Sequence, residues 1–163
     1  MHPRRIVLLA STLAVLAAVS ACATRAMPVS VAETVATNPQ LSTLNGLVAK
    51  AGLTDTLKAG GPYTVFAPSN AAFAKVPAKT MDELAKDPAK LKSVLTYHVV
   101  PAKVMAADVK NGNTKSANGA NLALSKSGDY VTVDDAMVET ADIAATNGIV
   151  HIVDAVLMPP AAR

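Results

Sequence analysis

The sequence predicts an α+β domain, with helices mostly in the N-terminal half and a set of antiparallel strands after them. Three observations carry this expectation. Helix caps and apolar residues at helical spacing fill the stretch from Ser30 to Leu95. β-Branched runs separated by Asn-Gly dipeptides follow from Val99 onward. One apolar and aromatic segment, Tyr63 to Ala67, interrupts the helices as a buried strand. Helices first and strands later indicate segregated layers rather than alternating βαβ units.

Taken in order, Ser30 and Glu33 have the spacing of a capping box, in which each side chain satisfies an orphan backbone N–H. Asn38-Pro39 closes that short helix. Leu41, Leu44, Leu47, Val48 and Ala51 then recur on one helical face until Gly52. Pro68 ends the strand begun at Tyr63, and Ser69 caps a turn that reaches Phe73. Thr80 and Glu83 repeat the capping-box spacing. Asp87-Pro88 supplies an N-cap followed by proline at the first helical position, with Leu91, Val94 and Leu95 as the apolar face. Leu122 to Leu124, Tyr130 to Val133, Met137-Val138 and Ile149 to Val153 are the later strands. Asp134-Asp135 reads as a solvated turn between two of them, and Asn111-Gly112, Asn118-Gly119 and Asn147-Gly148 as turns whose glycines accept positive φ. The last strand is apolar on both faces apart from His151, so it is expected at the centre of its sheet.

The N-terminus precedes all of this. Arg4 and Arg5 introduce an uncharged apolar and small-residue run from Ile6 to Ala21. That is the pattern of a secretory signal, shorter than the roughly 20 apolar residues of a membrane-spanning helix. Residues 1–21 are therefore assigned to a signal peptide. Val19-Ser20-Ala21-Cys22 resembles a lipobox, which implies cleavage before Cys22 and lipid attachment there. Ala21-Cys22-Ala23 also has the small-x-small form of ordinary secretion, so both processings are carried forward. Cys22 is the only cysteine and excludes an intrachain disulfide. Residues 22–29 then form a lipidated N-terminus and tether, and residues 30–160 the domain.

Of 15 basic residues only Arg4 and Arg5 are lost with the signal, leaving 13 against 12 acidic ones. The five aromatic residues, Tyr63, Phe66, Phe73, Tyr97 and Tyr130, form no cluster with the basic ones, so nucleic acid is not an expected partner. No G-x-S-x-G, H-E-x-x-H, C-x-x-C, EF-hand or phosphate-cradling motif is present. Neither catalysis nor a cofactor nor a metal is expected. Ser69 reads as a helix cap. His151 and Asp154, three apart on a strand, point to opposite faces and are not expected to pair, which leaves His151 bonded to backbone.

The segments YTVFAPSNAAF (Tyr63 to Phe73) and NGIVHIVDAVLMP (Asn147 to Pro159) resemble the first and second signatures of the fasciclin (FAS1) family. Between them, LTYHVVPAKVMAADV resembles the family's central Tyr-His segment. The resemblance implies the FAS1 fold: a wedge of antiparallel β-strands with several helices packed around it, the two signatures being neighbouring core strands. It also implies a non-catalytic adhesion or interaction module that binds a protein or polysaccharide of the cell surface or matrix. Tyr97 and His98 match a pair that animal members use in attachment; a structural hydrogen bond is the competing role. Asp142 and Ile143 match an aspartate-isoleucine element those members present to integrins, here expected in an exposed connection before the last hairpin turn. An alternative implied function is an apolar carrier for carotenoid or lipid, as in some algal members. The expected location is the cell envelope, as an outer-membrane or surface-anchored lipoprotein, or else the periplasm or the exterior, and the expected state is a monomer.

Overall fold

The computed structural model describes residues 29–160. The residues form six helices, α1 (Val31–Thr37), α2 (Ser42–Lys50), α3 (Thr54–Ala59), α4 (Asn70–Lys75), α5 (Ala78–Lys86) and α6 (Pro88–Tyr97), with a 3-10 turn at Pro39–Leu41. Seven strands accompany them: β1 (Tyr63–Pro68), β2 (Val99–Val100), β3 (Gly112–Lys115), β4 (Asn121–Ser127), β5 (Tyr130–Val133), β6 (Ala136–Ala145) and β7 (Gly148–Val153). The strands form one sheet in the order β2-β1-β7-β6-β5-β4-β3. The α+β class and the crowding of helices into the first half are as the sequence led one to expect. Signal peptide, tether and Cys22 fall outside the described residues, apart from Val29.

Local chemistry accounts for most element starts. The Ser30–Glu33 capping box is complete, each residue accepting the other's backbone N–H. Asp87 Oδ1 accepts the N–H groups of Ala89 and Lys90, and Ser69 Oγ accepts that of Ala72. The second capping box does not form. α5 begins at Ala78 after Pro77, so Thr80 lies inside the first turn and caps nothing. Proline at the boundary sets where the helix can start, and it outranks the Thr–Glu spacing.

Strand β7 is buried along its whole length between β1 and β6. Its pairing with β1 is parallel, Phe66 opposite His151 and Val65 opposite Val150, while the other strand pairs are antiparallel. Alternation then sends the two strands' side chains into two different cores. Val65, Ala67, Val150 and Ile152 meet the helices, packing with Val31, Val35, Leu44 and Leu95. Phe66 and Val153 face the other way, into a core with Tyr97, Leu122, Leu124, Val131 and Val133 from the curled second half. β6 serves both halves because it is irregular: its register with β7 shifts between Val138 and Thr140 and again between Thr140 and Ile143. A bulge bends a strand and raises its twist.

Two Asn-Gly turns behave as expected at glycine, with Gly112 and Gly119 at positive φ, but Gly148 does not. Gly148 is required by proximity. A Cβ there would collide with the Tyr63 carbonyl oxygen and touch Val31 Cγ2. Its neighbour Asn147 stitches three elements together. Nδ2 donates to the Leu57 and Gly60 carbonyls at 2.6 and 2.9 Å, and Oδ1 accepts the Val31 N–H at 2.8 Å.

Candidate interaction site

The bulge of β6 and the segment that follows β2 form a single surface. Asp142 sits at φ +58°, a left-handed conformation that aspartate tolerates better than most residues. The residue lies within strand β6 and not in a connection, which corrects the sequence expectation; it is exposed and falls in the stretch between Thr140 and Ile143 where the register with β7 shifts. Its Oδ1 accepts the Ala106 N–H at 2.9 Å, and its own N–H donates to His151 Nδ1 at 3.1 Å.

His151 is 2% exposed and stacks on Phe66 with ring centroids 5.5 Å apart. Because Nδ1 accepts a backbone N–H, the ring proton is on Nε2, which donates to the Val104 carbonyl at 3.0 Å. Thr64, fully buried on β1, completes the clamp. Its hydroxyl donates to the Ala102 carbonyl at 2.7 Å and accepts the Val104 N–H at 2.8 Å. Lys126 Nζ reaches the Ala107 carbonyl, and Val109 is buried in the second core. Thus strands β1, β7 and β6 each supply one side chain that grips the 101–109 segment. Met105, in the middle of the gripped stretch, stays 41% exposed. Ile143 is half-buried against the helix-side core, paired with Val150, so of the two residues Asp142 is the one presented.

Tyr97 and His98 are elsewhere and buried, each 2% exposed. Their burial and their bonds are those of the structural role that competes with an attachment role in the sequence reading. Tyr97 Oη donates to the Asp134 carboxylate, 2.7 Å away, and lies 3.0 Å from the Asn121 carbonyl. Asp134, at φ +50°, also accepts the Ala123 N–H, so this turn is a knot tied to α6 and not merely solvated. His98 donates from Nδ1 to the Val94 carbonyl at 2.8 Å and accepts the Leu157 N–H at Nε2 at 3.0 Å. Burial depresses its pKa to about 4. Burial likewise lowers that of His151, opposed by the Val104 carbonyl and the Asp142 charge. Both rings are therefore neutral at pH 7, with both nitrogens engaged. His151 does bond to backbone and not to Asp154, whose carboxylate accepts the Met137 N–H and pairs with Lys75 at 3.2 Å.

Sequence reasoning missed Thr64 and Asn70. Asn70 Oδ1 accepts the Thr43 N–H and its Nδ2 donates to the Pro39 carbonyl, so the residue beside the predicted cap Ser69 caps α2 from another helix. No local signal could reveal either, because their partners lie 27 to 40 residues away.

An apolar cavity of about 80 Å³ lies between the helices and β1, lined by Val35, Leu44, Leu57, Val65, Phe66 and Leu95 among others. Pockets for cofactor-sized ligands run from roughly 300 Å³ upward. The cavity is too small for a carotenoid or a lipid chain, so it does not support the carrier alternative. Among the described residues, no group of three or more His, Cys, Asp or Glu could hold a metal ion.

Comparison with known proteins gives a consistent pattern. A family model described as Fasciclin domain matches residues 39–159. Protein sll1483 of Synechocystis sp. is 43% identical over 133 residues, covering 80% of this chain and 74% of that protein. Immunogenic protein MPB70 of Mycobacterium bovis is 41% identical over 139 residues, covering 82% and 70%. Cell surface glycolipoprotein MPB83 of the same species is 40% identical over 136 residues, covering 80% and 61%. Among solved structures, a FAS1 domain pair from the insect cell adhesion molecule Fasciclin I aligns with TM-score 0.59 at 22% identity. It is matched over 74% of this chain and 46% of its own, and likeness at that identity concerns the fold alone.

Proposed function

The chain belongs to the fasciclin domain family, and from that membership we propose that it is an exported, non-catalytic module of the cell surface that attaches to a protein or polysaccharide through the Met105–Asp142 surface. The observation that carries this reading is the gripped 101–109 segment. A large apolar side chain is held outward beside an exposed carboxylate, on backbone fixed by that carboxylate and by two buried side chains, Thr64 and His151, so that three strands contribute. Ordering is thus already in place before a partner arrives, which lowers the entropic cost of binding.

The non-catalytic part rests on chemistry as well as kinship. A general base needs a nitrogen lone pair facing a substrate, and both His98 and His151 direct both nitrogens at backbone groups. Ser69 is 5% exposed and caps α4. Surface placement draws on the signal segment, on Cys22 and on the relative named a cell surface glycolipoprotein. With Cys22 lipidated, acyl chains would anchor the domain at about 0.8 kcal/mol per buried methylene.

Two measurements test the reading. Intact mass and membrane fractionation of wild type and Cys22→Ser should show a lipid-sized mass and membrane association, both lost in the variant; soluble unmodified wild type would make the module a secreted one. Attachment and biofilm formation should fall on deletion of the gene, return with the wild-type gene, and return poorly with Met105→Ser. Deletion without effect on attachment would remove the adhesive role.

A further inference from the structure

The imidazole of His151 does more than fill space: it bonds the β6 bulge with one nitrogen and the 101–109 segment with the other, beside the direct bond from Ala106 N–H to Asp142 Oδ1. We infer that His151 is the positioning residue of the interaction surface, and that its protonation parts the Asp142 bulge from the Met105 segment while the rest of the domain stays folded. The inference rests on the proposed attachment site only for its biological consequence, a surface that works when the ring is neutral and comes apart in acid.

The argument begins with the direction of each bond. Nε2–H donates to the Val104 carbonyl, and Nδ1 accepts the Asp142 N–H. Protonation puts a second hydrogen on Nδ1, where it faces that N–H, and two donors now oppose each other at 3.1 Å. The charged groups bearing on the ring are few. β1 presents the uncharged Phe66 ring, the 101–109 segment a carbonyl, and β6 the Asp142 carboxylate, which is the charge that acts on the ring. A new Nδ1–H⁺ finds its best acceptor in that carboxylate, since charge-assisted bonds are about twice as strong as neutral ones. The same carboxylate is what holds the Ala106 N–H. The bulge must rotate to take its own N–H away from Nδ1, and that rotation carries Oδ1 off the Ala106 N–H. The grip of Thr64 on Ala102 and Val104 involves no titrating group and persists. The split is therefore local, between Asp142 and Ala106, and it divides the surface between its carboxylate and its Met105.

The direction with pH follows from linkage. Burial keeps the closed-state ring from taking a proton, whereas a ring freed into water titrates near 6.5. Below about pH 6.5 the open form binds one proton that the closed form does not, so the opening constant rises by up to about tenfold per pH unit.

Amide hydrogen exchange of the full chain without any partner, from pH 7.5 to 5 and corrected for the intrinsic chemical rate, reads this out. Asp142 and Ala106 should open up to about tenfold more per pH unit through a local opening, with Val104 and the β7 amides changing only as far as the loss of global stability carries them. His151→Gln keeps one donor and one acceptor and does not titrate; its Asp142 and Ala106 amides should be insensitive to pH. A flat wild-type response, the same slope in His151→Gln, or an opening of Asp142 and Ala106 no easier than the global unfolding that exposes Val104 and β7 would each overturn the inference. Should His151→Gln not fold, nitrogen NMR of the wild-type ring decides: its Nδ1 must titrate with the same midpoint as the Asp142 and Ala106 amide shifts, and differing midpoints overturn it. Because no partner is present, this result stands apart from the attachment assays, which can fail independently.

Discussion

His98 and His151 are buried in opposite tautomers. His98 carries its proton on Nδ1 and accepts the Leu157 N–H at Nε2, whereas His151 carries its proton on Nε2 and accepts the Asp142 N–H at Nδ1. The first ring ties the C-terminal segment to α6, and the second ties the β6 bulge to the sheet interior. In each case a backbone N–H selects the tautomer by requiring an acceptor.

Acid should destabilise the fold before carboxylates become protonated. The folded-state pKa of His98, about 4, lies below its ordinary value of 6.5. Unfolded chains therefore bind the extra proton, and stability is complete above about pH 6.5 and declines as pH falls toward 4. One such group removes about 2 kcal/mol by pH 5 and about 3 by pH 4, with His151 adding in the same direction. Urea midpoints at pH 7.5 and 5 check this, and equal midpoints would contradict the burial of these rings as neutral groups.

Thr64→Val preserves shape but removes the hydroxyl, stranding the Val104 N–H and the Ala102 carbonyl. A loss of about 1–3 kcal/mol is expected, with exchange of the Val104 amide accelerated, while Thr64→Ser keeps most of both. Denaturant titration and amide exchange read the two effects separately.

Two glycines should respond in opposite senses to alanine. Gly148→Ala drives a methyl into the Tyr63 carbonyl at the start of the central parallel pair, and at least about 3 kcal/mol should be lost. Gly46→Ala, in the interior of α2 with open space around the new methyl, should gain about 0.5–1 kcal/mol. Thermal melts of the pair against wild type give the comparison.

Asn147→Asp replaces the Nδ2 donor by a carboxylate oxygen aimed at the Leu57 and Gly60 carbonyls. A cost of about 3 kcal/mol or more is expected at pH 7, exceeding that of Asn147→Ala, because repulsion is added to the lost bonds. Stability curves of both variants at pH 7 test the ranking.

Much of this fold could be read from the chain. Caps formed at Ser30, Ser69 and Asp87 because their partners are two or three residues away and the local backbone decides the matter. Continuous apolar character placed Ile149 to Val153 at the centre of the sheet. The candidate site was legible only in part. The sequence points to Asp142 but predicts a connection around it, since residues 140–145 have weak strand character and their pairing is enforced by β7. Tyr97 and His98 gave no sign of burial on their own, because their partners Asp134 and Leu157 are 37 and 59 residues distant. The Thr64 hydroxyl looked like an ordinary β-branched strand residue. Its role emerges only when the segment after β2 folds back over it.

The parallel contact between β1 and β7 joins residues about 85 positions apart in the chain. Closing so long a segment costs entropy before any pairing returns it, and such topologies fold slowly. During synthesis β1 can complete neither of its neighbours early: β2 offers two residues, and β7 follows only after five other strands. The domain should therefore leave the ribosome without its central sheet, in the loose state that a translocation channel can thread, and acquire its two cores together once the last strand is free.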